Sequence, residues 1–575
     1  MAEKRKTGCW VGLGILVLVL VIAASAAWIA YTGLQAKRAL ESAADALAGA
    51  QSALLAGDVE AADTAVTEAS VLTTDARAKT SDPVWSVVGA IPYLGATPRT
   101  VTLSSQAADD VISGALPKFV AAARVLDIST IKDADGTVDL ARLPETSTQL
   151  ASATADLEKA AQALSEVPTS GVIGVVSEAK QELSAEVDQA LGVSTTAASL
   201  LGITPQLLGA NGPQTYFVAF QSPVEIRGTG GFLGSFGILT MDGGKLVQKD
   251  VASNSDLNDF SKPVVDMGPD YRELYGENST DWVNMNMSPN FPYAGIQWQA
   301  AWSEQAGVTP AGVVAIDLSA MQSLLAATGP VTAPDGREIT ADNVIPFLGN
   351  EIYVEFIDDN SARKDYQAEV ATILLERVIR LQGSITPLVK ALTESVSGGH
   401  LQIWSGDPSI QSTIAATPLG GETPTAGGPY AQLVLNNGGG NKLDYFLQRS
   451  LTYTGGKCDG DMRSSTITVT LTNTATEASA GSLPSLSGLV NRVLTYIHLP
   501  VGGGATAIRI NGQPAQASFG MEREHPVAVL TPDIPPGGSV TVELDVIEPV
   551  SDDAPVVPVQ PMITEQETTV DWSGC

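Results

Sequence analysis

The chain has 575 residues, and 63 Asp and Glu against 32 Lys and Arg give it a formal net charge of −31. That length exceeds one ordinary domain, so we expect two or three folded units. The charge excludes nucleic acid as a partner, because binding to phosphates relies on Lys and Arg to displace counterions.

The first predicted element is an apolar run at residues 9–31, CWVGLGILVLVLVIAASAAWIAY. About 23 residues are enough to cross the ~30 Å hydrocarbon core of a bilayer as a helix. Basic residues at positions 4–6 precede the run, which predicts a cytoplasmic N-terminus over residues 1–8 and an extracytoplasmic main body. The alternative is a signal peptide cleaved at the ASA of residues 24–26, but the apolar run continues beyond that site. We therefore expect an uncleaved single-pass helix in the cell membrane.

The next segment, residues 32–205, is Ala-rich and predicts an extracytoplasmic α-helical bundle or stalk. Leu40, Leu47 and Leu54 recur every seven residues, which is typical of a seam between packed helices. Further helical stretches are expected at about 101–126, 146–166 and 172–202.

Strand-like and helix-like runs then alternate over residues 211–395, which indicates an α/β domain. In the run TYFVAF, Tyr216, Val218 and Phe220 would face one side of a strand and the intervening residues the other. GVVAIDL reads as a buried strand with a helix after it, and SARKDYQAEVATILLERVIRLQ as a long amphipathic helix.

Short strands separated by Gly, Pro and Asn turns follow over residues 399–548, a spacing typical of a β-sandwich. Residues 549–575 read as a Pro-rich tail. The expected fold is therefore multidomain α+β. It comprises a single N-terminal transmembrane helix, a helical bundle, a central α/β domain and a C-terminal β-sandwich.

The cysteines and histidines give few signals of chemistry. Cys9 is expected to be a free thiol, whereas Cys458 and Cys575 are candidates for a disulfide that ties the tail to the last domain. No CxxC or His-Cys cluster suggests a metal site. We expect ordinary core or surface roles for the three histidines, His400, His498 and His525.

One arginine stands against a glycine-rich turn in the stretch VEIRGTGGFLGSFG. Arg227 could hold an anion, with Gly230 and Gly231 allowing the backbone to approach it because they lack a Cβ. Alternatively, Arg227 could stabilise the fold through an ion pair with Glu225 or with an Asp of the DLNDF segment. If Arg227, Arg363 and the DLNDF acids meet at one open groove, a binding role is favoured. If Arg227 is buried against Glu225, a structural role is favoured.

The motifs RGTGGFLGSFG, DLNDF, NMNMSPNFP and NGGGNKLDYFL resemble those of an actinobacterial membrane-anchored family, the domain of unknown function number 4012. The resemblance extends over nearly the whole chain. It implies an architecture but no activity.

Residues 284–380 show a more distant resemblance to the LytR-CpsA-Psr cell-wall glycopolymer transferases. The Asn-rich segment NMNMSPNFPYAG, the run AGVTPAGVVAIDLSAMQSLLAATGPV and the segment YVEFIDDNSARKDYQAEVATILL follow in the same order as in that family. Those enzymes move a polymer from a polyprenyl pyrophosphate carrier onto peptidoglycan, with arginines on the pyrophosphate and acidic residues on a divalent cation.

This resemblance implies two sets of site residues. The pyrophosphate candidates are Arg227, Gly230, Gly231, Arg363 and Gln367. The candidates for a Mg²⁺ ion are Asp256, Asp259 and Asp359, with Asp358 beside them. The pattern also departs from the family, since Glu355 stands where an arginine is expected and Tyr366 replaces another.

The expected function is therefore a role in assembling a cell-envelope glycopolymer, either cell wall or exopolysaccharide. The protein would bind a polyprenyl-pyrophosphate-linked sugar, with Mg²⁺ as a cofactor and a cell-wall polymer as a partner. Transfer of the sugar would make it a (phospho)transferase of the LytR-CpsA-Psr type. The alternative is a non-catalytic envelope scaffold or interaction protein whose α/β domain has lost its activity, and the two missing arginines favour it.

Overall fold

A computed structural model of the chain describes residues 4–92, 94–126, 131–133, 136–168, 170–277, 280–379 and 386–573. The chain divides into two compact units, each described by itself below. The first unit comprises Met1–Pro205 with Gln382–Thr386, and the second comprises Gln206–Leu381 with Pro387–Cys575.

The described part of the first unit is built from helices. Their bounds are α1 (Lys4–Ala56), α2 (Val59–Thr80), α3 (Pro83–Gly89), α4 (Ala96–Asp110), a π-helical turn (Val111–Ala115), α5 (Leu116–Val125), a 3₁₀ turn (Leu140–Arg142), α6 (Leu143–Ser165) and α7 (Gly174–Leu207). Helices α1 and α2 meet along buried alanines, among them Ala43 and Ala69, which allow close packing. The predicted seam residue Leu47 lies beside these alanines and is only partly buried.

The N-terminal helix corrects the sequence prediction of a membrane anchor. Among the described residues, none of the helices combines the length and the apolar character that crossing a bilayer requires. The side chains of residues 9–19, about half of the predicted span, lie outside the described set. The predictions of a single-pass transmembrane helix and of a cell-membrane location with a cytoplasmic N-terminus are therefore wrong.

The second unit begins with a five-stranded sheet in the order β3-β2-β1-β4-β7. Its strands are β1 (Gln214–Ser222), β2 (Phe232–Asp242), β3 (Lys245–Ser253), β4 (Gly312–Asp317) and β7 (Leu401–Ser405). Strands β1 and β4 run parallel, and their neighbours pair antiparallel. The two-stranded ribbon of β5 (Val331–Thr332) and β6 (Glu338–Ile339) stands apart from this sheet.

Helices cover both faces of the five-stranded sheet. The helices of residues 269–415 are α8 (Pro269–Tyr275), α9 (Phe291–Ala306), α10 (Leu318–Thr328), α11 (Val344–Pro346), a π-helical turn (Phe347–Glu351), α12 (Ile352–Glu355), α13 (Asn360–Ile379), α14 (Thr386–Ser397) and α15 (Pro408–Ala415). Of these, α8 packs instead with apolar residues beyond this sheet, among them Val434, Tyr496 and Val527. Because side chains alternate along a strand, Val218 and Phe220 pack with α10 and α13, whereas Phe217 and Ala219 pack with α9. Short 3₁₀ turns lie at Asn254–Asp256, Trp282–Asn284, Pro418–Gly420 and Leu443–Phe446.

Two further sheets face each other across an apolar core. One has the order β13-β12-β17-β10-β9-β18, and the other has the order β14-β15-β11-β16 with β8 also paired to β11. The bounds are β8 (Gln432–Asn437), β9 (Leu447–Asp459), β10 (Met462–Asn473), β11 (Asn491–His498), β12 (Gly504–Ile510), β13 (Gln513–Pro514), β14 (Ser518–Glu522), β15 (His525–Leu530), β16 (Asp533–Ile534), β17 (Ser539–Pro549) and β18 (Gln566–Asp571), with a short helix α16 (Glu477–Gly481). The described chain is thus mixed helix and sheet.

The five-stranded sheet and this β-sandwich share cores, which explains why they form one compact unit. Ile226 from the glycine-rich stretch is fully buried among sandwich residues. Leu443 and Leu483 from the sandwich side pack in the same core as Val218 of β1. The tail beyond residue 549 returns to the sandwich, where β18 pairs parallel with β9.

Candidate functional site

A cavity opens where strand β1 ends and β2 begins, beneath helix α13. It encloses about 530 Å³ including its open mouth. We call it the cationic cavity, and its lining residues are Phe220, Gln221, Ser222, Phe232, Gly234, Ser235, Leu318, Met321, Leu348, Tyr353, Arg363, Lys364, Gln367 and Ala371. Its walls combine aromatic and aliphatic side chains with hydroxyl, amide and cationic groups.

Two neighbouring cations of α13, Arg363 and Lys364, line this cavity together. The guanidinium carbon of Arg363 lies 4.2 Å from the centre of the Tyr353 ring, and its Nη2 donates to Asn360. The Nζ of Lys364 donates to the Oγ of Ser255 at 2.9 Å. Arg363 and Gln367, both predicted from the sequence, therefore do reach one cavity.

A third cation, Lys442, comes from the loop before β9. Its Nζ lies 4.7 Å from the centre of the Phe232 ring and 5.4 Å from that of Tyr353, and both rings line the cavity. The same ammonium forms a nearly buried ion pair with Glu225. The site is thus more cationic than the sequence predicted, in a chain whose net charge is −31.

The three cations influence one another. Burial first, and then the positive charges of Arg363 and Lys442, lower the pKa of Lys364 below its ordinary value of 10.5, although Glu225 acts in the opposite direction. A lysine whose charged form is disfavoured by burial and by like charges gains free energy when an anion binds nearby. The electrostatics of the cavity therefore favour a negatively charged ligand.

Tyr353 owes its position to an irregular helix. The π-helical turn Phe347–Glu351 places one extra residue before α12, and turns of this type are frequent at functional sites. Behind the ring, the Oη of Tyr353 lies 3.3 Å from the Oγ of Ser222 at the end of β1. The aromatic ring is thereby fixed between Arg363 and Lys442.

Arg227 lies behind the cavity and does not line it. Its guanidinium donates to the Oδ1 of Asn284 at 3.0 Å, to the carbonyl of Ile226 at 2.8 Å and to the Oε1 of Glu225 at 3.3 Å. The residue is only 5% exposed. Since Glu225 also pairs with Lys442, Arg227 acts on the cavity through two intervening charges.

The glycines of the motif allow close backbone packing. A Cβ on Gly231 would lie 2.2 Å from the carbonyl carbon of Ser222, which no side chain can tolerate. Gly230 has a φ of 132° and faces the side-chain oxygen of Gln221, while the N–H of Gly231 donates to that oxygen at 3.0 Å. These two glycines therefore hold the end of β1 in place through Gln221, which itself lines the cavity.

The predicted acidic residues do not gather at the cavity. Asp256 and Asp259 lie on the exposed segment after β3, where Asp259 accepts from the backbone of Trp282 at 3.4 Å. Asp358 and Asp359 are exposed before α13, and Asp359 accepts from the backbone of Ala362 in its first turn. In the part of the chain that the structure describes, no three or more His, Cys, Asp or Glu side chains are grouped so that they could hold a metal ion.

Two departures from the transferase pattern have their own partners. Glu355 pairs with Arg337, whose Nη2 lies 3.1 Å from both carboxylate oxygens. The hydroxyl of Tyr366 donates to Asp335 at 3.1 Å.

The predicted disulfide can be followed at one of its two cysteines. Cys458 is disulfide-bonded, while Cys575, its proposed partner, lies outside the described residues.

Sequence reasoning missed Lys364 and Lys442. Lys364 directly follows Arg363, so the pair of adjacent cations was a usable local signal. Lys442 lies in the motif NGGGNKLDYFL, which was recognised only as a family feature. Nothing local indicates that this loop returns to the β1 edge.

Comparison with known protein families gives a match over part of the chain. Among curated proteins and among solved structures, nothing matches the chain. The matching family model covers residues 211–353, which includes Arg227 and ends at Tyr353, whereas Arg363, Lys364 and Lys442 lie beyond it. Over residues 211–353 the chain is thus similar to the family described as "Protein of unknown function (DUF4012)". The motifs RGTGGFLGSFG, DLNDF and NMNMSPNFP lie within these residues, whereas NGGGNKLDYFL lies outside them, so the predicted resemblance over nearly the whole chain is confirmed only in part.

Proposed function

We propose that the protein binds a polyprenyl-pyrophosphate-linked sugar in the cationic cavity, as a component of cell-envelope glycopolymer assembly. The observation that carries this proposal is that Arg363 and Lys364 line one open cavity of an otherwise strongly acidic protein, with Lys442 against the Phe232 and Tyr353 rings of its wall. A pyrophosphate group needs several cations in fixed positions, and guanidinium and ammonium groups bind it through charge-assisted hydrogen bonds.

The remaining walls suit an amphiphilic ligand. Phe220, Leu318, Met321 and Leu348 present apolar surface beside the cations. A prenyl chain leaving its pyrophosphate would therefore find apolar contacts, which a free phosphate would not use. The resemblance of residues 284–380 to the LytR-CpsA-Psr transferases supports the same class of ligand.

A second candidate function is that of a non-catalytic scaffold. The burial of Arg227 against Glu225 favours it, because this arginine is committed to stabilising the fold. The two candidates predict opposite results in a direct binding measurement.

The test is calorimetric titration of the full chain with farnesyl pyrophosphate, with and without Mg²⁺. We expect saturable binding that weakens at least about tenfold in Lys364→Met and less in Lys364→Arg, which keeps the charge. Lys390→Met is the matched control, because Lys390 is an exposed lysine paired with Glu394 and does not line the cavity. Inorganic pyrophosphate and farnesol separate the contributions of the head group and the chain.

Arg227→Ala distinguishes the two candidates further. We expect it to lower the free energy of unfolding by about 3 kcal/mol, because it leaves Glu225 with one cationic partner fewer in a buried place. Ligand binding at a temperature where the variant stays folded should weaken only moderately. If the wild-type chain gives no saturable binding of farnesyl pyrophosphate, the binding proposal fails and the scaffold remains.

A further inference from the structure

A second cavity, of about 380 Å³, lies between helix α8 and the β14–β15 hairpin. It shares no lining residue with the cationic cavity. We call it the Glu522 cavity, and its lining residues are Met267, Gly268, Pro269, Asp270, Tyr271, Leu274, Tyr293, Met521, Glu522 and Arg523. The carboxylate on its wall is almost wholly buried, since the side chain of Glu522 is 2% exposed.

The hydrogen bonds of Glu522 leave one acceptor site unused. Its Oε2 accepts from the hydroxyl of Tyr275 at 2.7 Å and lies 2.8 Å from the Nε2 of His498. Its Oε1 accepts from the hydroxyl of Ser288. A carboxylate has about four lone-pair sites, so Oε1 can accept one further N–H.

The three groups bonded to Glu522 are two hydroxyls and one imidazole. Burial and the charge of Glu522 raise the pKa of Tyr275 well above 10, so this hydroxyl keeps its proton. The Nδ1 of His498 is buried without a hydrogen-bond partner among the described residues.

The guanidinium that lines the same cavity, that of Arg523, is engaged elsewhere. Arg523 donates from Nε to the carbonyl of Thr423 at 3.2 Å and from Nη2 to Glu422 at 3.2 Å. Asp270 adds a second negative charge to the lining. Within the described chain, Glu522 therefore carries a buried negative charge without a Lys or Arg bonded to it, although buried charges are normally paired.

Tyrosine rings form the wall beside this carboxylate. The rings of Tyr271 and Tyr293 meet at 83° with their centres 5.8 Å apart, and both line the cavity. Tyr275 lies behind Tyr271, with ring centres 4.9 Å apart. Aromatic rings attract cations through their quadrupole, and this attraction is stronger where water is excluded.

We propose that the Glu522 cavity binds a primary organic ammonium ion. The ammonium would donate to the free site on Oε1 of Glu522, and its alkyl part would pack against Tyr271, Tyr293 and Met521. This site is independent of the anion site proposed above, and its ligand has the opposite charge.

The experiment is calorimetric titration of the full chain with n-butylammonium chloride at neutral pH, with 1-butanol as a neutral ligand of matched size. We expect saturable binding of the ammonium and none of the alcohol. Glu522→Gln should weaken binding at least about tenfold, and Tyr293→Leu about three- to tenfold. Glu548→Gln is the matched control, because Glu548 is an equally buried carboxylate that is bonded to Tyr453 and does not line the cavity.

Three results would overturn the proposal. They are no saturable binding by the wild-type chain, equal binding of 1-butanol, and an unchanged affinity in folded Glu522→Gln. Circular dichroism melting establishes whether each variant folds. If Glu522→Gln does not fold, Tyr293→Leu decides the matter, because that side chain is only half-buried and its loss is compatible with the fold. An unchanged affinity in Tyr293→Leu then counts against the site.

Discussion

At the scale of single residues, His400 and Asp317 form an ion pair where strand β4 ends. The Nδ1 of His400 lies 2.6 Å from the Oδ2 of Asp317, whose Oδ1 accepts from the backbone of Ser319 and Ala320 at the start of α10. Burial alone would lower the pKa of His400, but the charge and hydrogen bond of Asp317 outweigh it and raise the pKa above 6.5. The sequence analysis predicted only an ordinary core or surface role for His400.

This pair predicts a pH dependence of stability with a definite sign. Because the pKa of His400 is raised on folding, its stabilisation is complete below the unfolded value of about 6.5 and is lost as the pH rises through the folded value. Each unit of the shift is worth about 1.4 kcal/mol. In urea unfolding, the free energy of unfolding of the wild type should therefore exceed that of His400→Gln most at low pH. The difference should become progressively smaller above pH 6.5. A difference that stays constant or widens with rising pH would refute this role.

The candidate site shows what a sequence can reveal residue by residue. Arg363 and Gln367 are one helical turn apart on α13, so a local pattern sufficed to place both at one cavity. Arg227 was located correctly within its turn, but the choice between ligand and ion pair depended on whether Glu225 faced it. The presence of Lys442 depended on the return of a distant loop, which no local periodicity encodes.

At the scale of elements, the C-terminal tail bonds through Gln560 to both strand β8 and the turn at Arg227. Gln560 is 1% exposed, and its Nε2 donates to the carbonyl oxygens of Arg227 and Leu435 at 2.7 and 2.8 Å. Its Oε1 accepts from the N–H of Leu435 at 2.8 Å. One amide therefore satisfies the edge of strand β8 and the turn that follows Arg227. A Pro-rich composition gave no hint of this role.

The change Gln560→Ala should show how much the stability of the fold depends on the Gln560 amide. The backbone N–H and C=O of Leu435 would be left buried without partners, and the C=O of Arg227 would keep only the N–H of Gly230, at a cost of about 2–4 kcal/mol in the free energy of unfolding. Urea unfolding of the full chain measures it. Gln513→Ala, at an exposed glutamine of β13, serves as the control and should change stability by less than about 0.5 kcal/mol. Equal effects of the two changes would mean that the tail adds no stability through Gln560.

At the scale of the whole molecule, local patterns predicted elements better than the way they combine. The run GVVAIDL does form β4 and is followed by helix α10, because a short β-branched run and a capped amphipathic helix are local signals. The apolar run at residues 9–31 led to the prediction of a membrane-spanning helix, and that prediction is wrong. The shared core between the α/β sheet and the sandwich rests on contacts far apart in sequence, such as Val218 with Leu443, which periodicity cannot show.

That shared core predicts which fragments of the chain can fold. Residues 206–405 contain every strand of the five-stranded sheet, and yet they leave two buried backbone donors unpaired. The N–H of Ile226 donates to Asp444 at 2.9 Å, and that of Gly228 donates to Asn436 at 3.0 Å. Ile226 itself would lose the sandwich core that buries it completely.

We therefore expect residues 206–575 to unfold in one cooperative transition, whereas residues 206–405 should lack fixed tertiary structure. Near-ultraviolet circular dichroism and amide hydrogen exchange on both fragments test this directly. Protected amides in the shorter fragment would contradict the shared core and would make the sheet an autonomous domain. Because the family match ends at residue 353, before β7 and all of the sandwich, the expected result also means that the matched segment needs the rest of this unit to reach its folded form.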